Sequence, residues 1–117
     1  MNGRVRSGLL LLALAAAAPL RAATISGELI DSFCYAHARI AGAPHAACAL
    51  KCVRAGVPAA LLEKGTRRVY VLLPARDASA LPAPLVAQMG HDVTIDGDVL
   101  AQNGTTFLLV RSFRVTR

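Results

Sequence analysis

All three cysteines of the chain (Cys34, Cys48, Cys52) and two of its three histidines, His37 and His45, fall in one short stretch. Thiolate and imidazole are the side-chain donors that suit zinc or copper(I). Thiols in mutual reach can instead pair as a disulfide or exchange one. In His45-Ala-Ala-Cys48-Ala-Leu-Lys-Cys52 the donors stand three and then four residues apart. At about 100° per residue they fall within about 60° of one another, a single seam along a helix. Ala46, Ala49 and Val53 lie beside that seam, so it borders an apolar face, while Lys51 and Arg54 point elsewhere. Pro44 suits the first helical turn, and Gly56 followed by Pro58 suits the stop. A helix over about 45–55 is therefore expected, with Cys34 approaching from upstream. The expected metal ligands are Cys34, His45, Cys48 and Cys52, with His37 able to stand in for His45. Near a helix N-terminus the macrodipole disfavours protonation of His45, which leaves it a neutral ligand.

Two other uses of the same residues stay open. A disulfide between Cys48 and Cys52 would strain the S–S torsion on an intact helix, whereas Cys34 to either is easier. Such a bridge would pin the helix to the first strand and contribute on the order of 3 kcal/mol in the loop-closure picture. A disulfide that shuttles among three cysteines would give thiol redox chemistry, although Cys-x-x-Cys is absent. Other chemistries lack their residues. Val53 follows Cys52, so there is no c-type haem motif, and there is no phosphate loop, Gly-x-Ser-x-Gly or His-Glu-x-x-His. Asp31, Asp96 and Asp98 do not form a convincing catalytic pair. The reading is of a non-enzymatic domain binding zinc or copper; the alternatives are a disulfide-stapled partner-binding module or a thiol redox protein.

The elements that must position these residues begin after a leader. Arg4 and Arg6, an apolar run from Leu9 to Leu20, and Arg21-Ala22-Ala23 have the layout of a secretory signal peptide over 1–22, cleaved after Ala22 or Ala23. The apolar run is short against the roughly 20 residues needed to span a bilayer. Three of the 13 basic residues (Arg4, Arg6, Arg21) and none of the 7 acidic ones leave with it, so the net charge drops from +6 to +3. A single domain over 23–117 remains, expected to be periplasmic or secreted, in a compartment where disulfides persist. Its three cysteines are an odd number, so one stays free, pairs between chains or binds something.

Alternation marks strands at Thr24–Asp31, Ala59–Glu63, Arg67–Leu73, His91–Leu100 and Thr105–Thr116, the last bent near Arg111. On the first, Ile25, Gly27, Leu29 and Asp31 share a side. Lys64-Gly65-Thr66 and Asn103-Gly104 are hairpin turns, residues 32–44 read as loop, and a short helix is expected over Pro84–Met89. The result is a mainly β fold of five strands, with a Cys/His-bearing insertion over about 32–58 after strand 1 and a short helix between strands 3 and 4. That order, with Gly90-x-x-Val93-x-Ile95-x-Gly97-x-Val99 and Asn103-Gly104 before Leu108-x-Val110, resembles the oligonucleotide/oligosaccharide-binding (OB) barrel. Asp96-Gly97 would supply the strand bend such a barrel needs.

The resemblance raises nucleic-acid binding, which needs aromatic platforms along a basic groove. There is no Trp, some of Phe33, Tyr35, Tyr70, Phe107 and Phe113 must fill the core, and Arg67, Arg68, Arg111, Arg114 and Arg117 read as solubilising strand ends. A periplasmic protein is the better-fitting partner class. Finally, Gly27-x-Leu29-Ile30-Asp31-x-x-Cys34-Tyr35 and His45-x-x-Cys48-Ala49-x-x-Cys52-x-x-x-Gly56-Val57-Pro58 resemble the signature of a family of small exported bacterial proteins with an OB-like barrel. The resemblance implies the fold, export and a joint role for these positions, and it carries no activity.

Overall fold

The computed structural model describes residues 20–116. The expected signal peptide lies almost wholly outside the described residues. β1 (Arg21–Asp31) is followed by α1 (Ser32–Ala38), a 3-10 turn (Ala43–His45) and α2 (Ala46–Arg54). Then come β2 (Ala59–Glu63), β3 (Val69–Pro74), α3 (Ala83–Val86), β4 (Asp92–Gln102) and β5 (Thr105–Val115). The rungs of β1 from Ala22 against Asp98 to Thr24 against Asp96 span the two bonds at which cleavage is expected.

The strands close into a barrel in the order β1-β2-β3-β5-β4. β1 pairs antiparallel with β2 (Leu29 opposite Leu61) and with β4 (Ile25 opposite Ile95). β3 and β5 run parallel, with Leu72 opposite Leu108. This is the OB-like arrangement expected from the element order. Because side chains alternate along a strand, one face of each supplies the interior: Ile25, Leu29, Leu61, Tyr70, Leu72, Val93, Ile95, Leu108 and Val110 form one buried cluster. Ala49 of α2, together with Leu85 and Met89 of the α3 segment, joins it. Each fully buried Leu or Ile contributes roughly 1.5–3 kcal/mol through loss of apolar surface from water.

Closing a sheet this small requires sharp bends. Register slips between Asp96 and Gly97, so that Asp96 faces Ser112 and Gly97 faces Val110, leaving Arg111 as the extra residue of a bulge. A Cβ at Gly97 would run into the carbonyl of Leu109, which explains why glycine sits at the bend.

The insertion departs from its expected form in one respect. Residues 32–44 are not all loop, because α1 occupies Ser32–Ala38. It carries no apolar stripe that would mark it in the sequence, and none of its residues is fully buried. What starts it is Asp31, whose carboxylate accepts the Cys34 N–H at 2.8 Å. What stops it is Arg39 in a left-handed conformation (φ 53°), its N–H donated to the Tyr35 carbonyl. α2 begins one residue later than expected, after the 3-10 turn that holds Pro44. Gly56 (φ 104°) ends it, with the N–H groups of Gly56 and Val57 returning to the Val53 and Cys52 carbonyls. The Ser32 N–H donates to the Pro58 carbonyl at 3.0 Å, closing the neck of the insertion. Of the expected Pro84–Met89 helix, only Ala83–Val86 is regular, and turns continue to Gly90.

Candidate metal centre

α2 is held against the barrel by its small and apolar face: Ala49 is 1% exposed, and Leu50 and Val53 pack on the same cluster. Its start lies close to Gly90, where a Cβ would come within 2.7 Å of the Ala46 Cα. Gly90 also has φ 81° and donates its N–H to the Leu29 carbonyl at 2.8 Å. The seam beside this apolar face carries Cys48 and Cys52 one turn apart. α1 sets Cys34 beside them.

The three sulfurs all lie within 4.8 Å of one another. All three cysteines are free thiols; Cys34 and Cys52 are half-buried and Cys48 is exposed. The triangle therefore has one corner open to solvent and two backed by protein. Cys34 and Cys48 occupy equivalent places, each the third residue of its helix.

His45 takes a different position from the one its spacing suggests. Its Nε2 lies 3.1 Å from Oδ2 of Asp31, a carboxylate whose side chain is wholly buried. The imidazole belongs with Asp31 and Cys34 in a second group of donors within 4.8 Å of one another, which overlaps the group of three sulfurs. Cys34 is common to both.

Asp31 is the residue that sequence reasoning passed over. It ends β1, caps α1 through Oδ1 and holds His45 through Oδ2. Burial pushes its carboxyl upward, but the Cys34 amide, the Cys34 thiol and the His45 imidazole together outweigh burial and hold it below the usual carboxylate value. The signal was present in two forms. Strand alternation put Asp31 on the core side with Leu29, and an Asp three residues before Cys34 is a helix-cap spacing. For Cys34 the balance runs the other way: burial first, then its hydrogen bond to the Asp31 carboxylate and the nearby charges of Asp31, Cys52 and Cys48, push the thiol up to about 12. Burial, the charges of Asp31 and Cys48, and contact with the Cys48 sulfur also raise Cys52.

No protein-family model matches this chain, and neither does any curated protein or solved structure compared with it. The reading of the site therefore rests on its own geometry.

Other residues singled out by type lie elsewhere. His37 is exposed and stacks on Phe33, ring centroids 5.9 Å apart and planes 11° apart; it joins neither donor group. Tyr35 packs against Ile30, Ala60 and Leu62 on the outer face of the β1–β2 pair. His91 is exposed. Asp96 pairs with Arg114 at 3.0 Å and Asp98 with Arg111 at 2.9 Å, so these acids serve the β4–β5 edge. An apolar groove of about 690 Å³ runs between the end of α2 and the start of α3, lined in part by Val53, Val57, Leu72, Leu81 and Val86. Its lining includes neither the cysteines nor His45. Among the described residues no helix is long and apolar enough to cross a membrane.

Proposed function

We propose that this is a small exported domain, periplasmic or secreted, whose insertion binds one transition-metal ion, zinc or copper, through Cys34, Cys48 and Cys52. The layout of the N-terminal leader supports export. The observation that carries the metal reading is the convergence of three sulfurs from two separate helices within 4.8 Å. A metal–thiolate bond of about 2.3 Å puts ligand sulfurs roughly 4 Å apart, so modest side-chain rotation closes the triangle on one ion. Charge supports the same reading. Each thiolate raises the cost of ionising its neighbours, as the effect of Cys48 and Cys52 on Cys34 shows. A cation removes that cost and takes up the site as the thiol protons leave.

Native mass spectrometry with thiol counting tests this. One retained metal ion, with three thiols appearing only after chelation and unfolding, is the expected result. A mass lower by two protons with a single titratable thiol in the purified protein would replace the metal by a disulfide from Cys34 to one α2 cysteine. In that case the barrel is a stapled partner-binding module or a thiol redox protein.

A further inference from the structure

Resting on that metal reading, we infer that the ion is copper(I) held by three sulfurs alone, with His45 outside the coordination sphere as a positioning residue. The reasoning starts from the buried carboxylate of Asp31. Its side chain has no exposure to water, so every partner it has must come from the protein. Those partners are the Cys34 N–H at 2.8 Å and the His45 imidazole at 3.1 Å. If His45 turned to the metal, the buried Asp31 side chain would keep one backbone N–H and one of its two oxygens would lose its partner. Leaving a buried side-chain oxygen without a partner costs more than most single contacts return. His45 therefore stays with Asp31 when the site is loaded.

What remains facing the ion is an all-sulfur triangle with its exposed corner at Cys48. Structural zinc sites use four protein donors, and here the nearest fourth is engaged. Soft thiolate sets suit copper(I) and zinc alike, so the donor count decides between them: a closed-shell monovalent ion is satisfied by three sulfurs in a plane. The open corner gives it a path in and out without unfolding the insertion.

The test uses the reduced protein, anaerobically, titrated with copper(I) against a chromophoric chelator and separately with zinc(II), with X-ray absorption on each loaded form. The expected result is one copper per chain with three sulfurs and no nitrogen in its first shell. His45→Gln keeps a donor for Asp31; it should lower copper affinity by less than about tenfold, the mild end of outer-shell effects, and leave the sulfur count at three. Cys52→Ser should lower affinity beyond the roughly 100-fold outer-shell range and leave two sulfurs. A nitrogen scatterer on copper, or a site that takes zinc with a nitrogen ligand but loses copper to the chelator, overturns the copper assignment while the metal reading stands. Loss of binding in His45→Gln with its far-UV spectrum unchanged would likewise return His45 to the ligand set. A folded, reduced wild-type protein that holds neither ion removes both readings at once.

Discussion

Asp31 caps α1 through its side chain, His45 stands at the N-terminal boundary of α2 without a capping bond of its own, and the two are bonded to each other, Nε2 to Oδ2 at 3.1 Å. Two short helices are thus joined at their N-terminal ends by one buried carboxylate. The thiols two residues beyond the first position of each helix, Cys34 and Cys48, are brought side by side as a consequence.

Replacing Asp31 should cost stability in proportion to the partners it strands. Asp31→Ala removes a helix cap, worth about 0.5–2 kcal/mol, and leaves a buried N–H and imidazole unpaired, about 1–3 kcal/mol more. Asp31→Asn keeps an acceptor for the Cys34 N–H and should lose less. Denaturant midpoints of the two metal-free variants check the order; equal losses would mean that the cap contributes nothing.

The same carboxylate sets an acid limb. Its folded value lies below its ordinary value of 3.8, so the stability it supplies is complete above that value and is lost as pH falls through the lower, folded one. Unfolding free energy of the metal-free protein should fall on acidification below about pH 4, and the Asp31→Asn variant should show a shallower fall. Parallel profiles for the two proteins would place the acid limb elsewhere.

Thiol reactivity should be graded. The Cys34 thiol is half-buried and is pushed up to about 12 by burial and the neighbouring Asp31 carboxylate, whereas Cys48 is exposed. Since the thiolate is the reacting species, alkylation of the metal-free protein at mildly alkaline pH should label Cys48 first and Cys34 last. Peptide mass spectrometry at short reaction times reads the order directly, and Asp31→Asn should bring Cys34 forward.

Gly90 lies outside the insertion yet governs it. A methyl group there meets Ala46 and must also tolerate φ 81°. Gly90→Ala should therefore cost about 1–3 kcal/mol and displace the first turn of α2, which carries Cys48. Both unfolding midpoint and metal affinity should drop; a change in the midpoint alone would mean that α2 keeps its place.

The barrel could be read from the chain because its code is local. Alternating apolar residues at Ile25, Leu29, Val93 and Ile95, the Asn103-Gly104 turn and the glycine at the Asp96-Gly97 bend each act within a few residues. The seam of Cys48 and Cys52 was likewise a matter of helical period. α1 was missed because it has no buried face and so no periodicity to detect. It exists through one cap and the contacts the fold offers it.

The chain alone therefore determined the strand order, the place of the insertion and the residue types at the site. Only the tertiary structure decided how those donors divide. It put Cys34 with the two α2 sulfurs and sent His45 to Asp31, residues 14 positions apart in the chain. Helical spacing specifies the direction in which a side chain leaves its own helix. Which partner it meets there depends on a buried charge contributed by another element, and the need to satisfy that charge outweighs the direction.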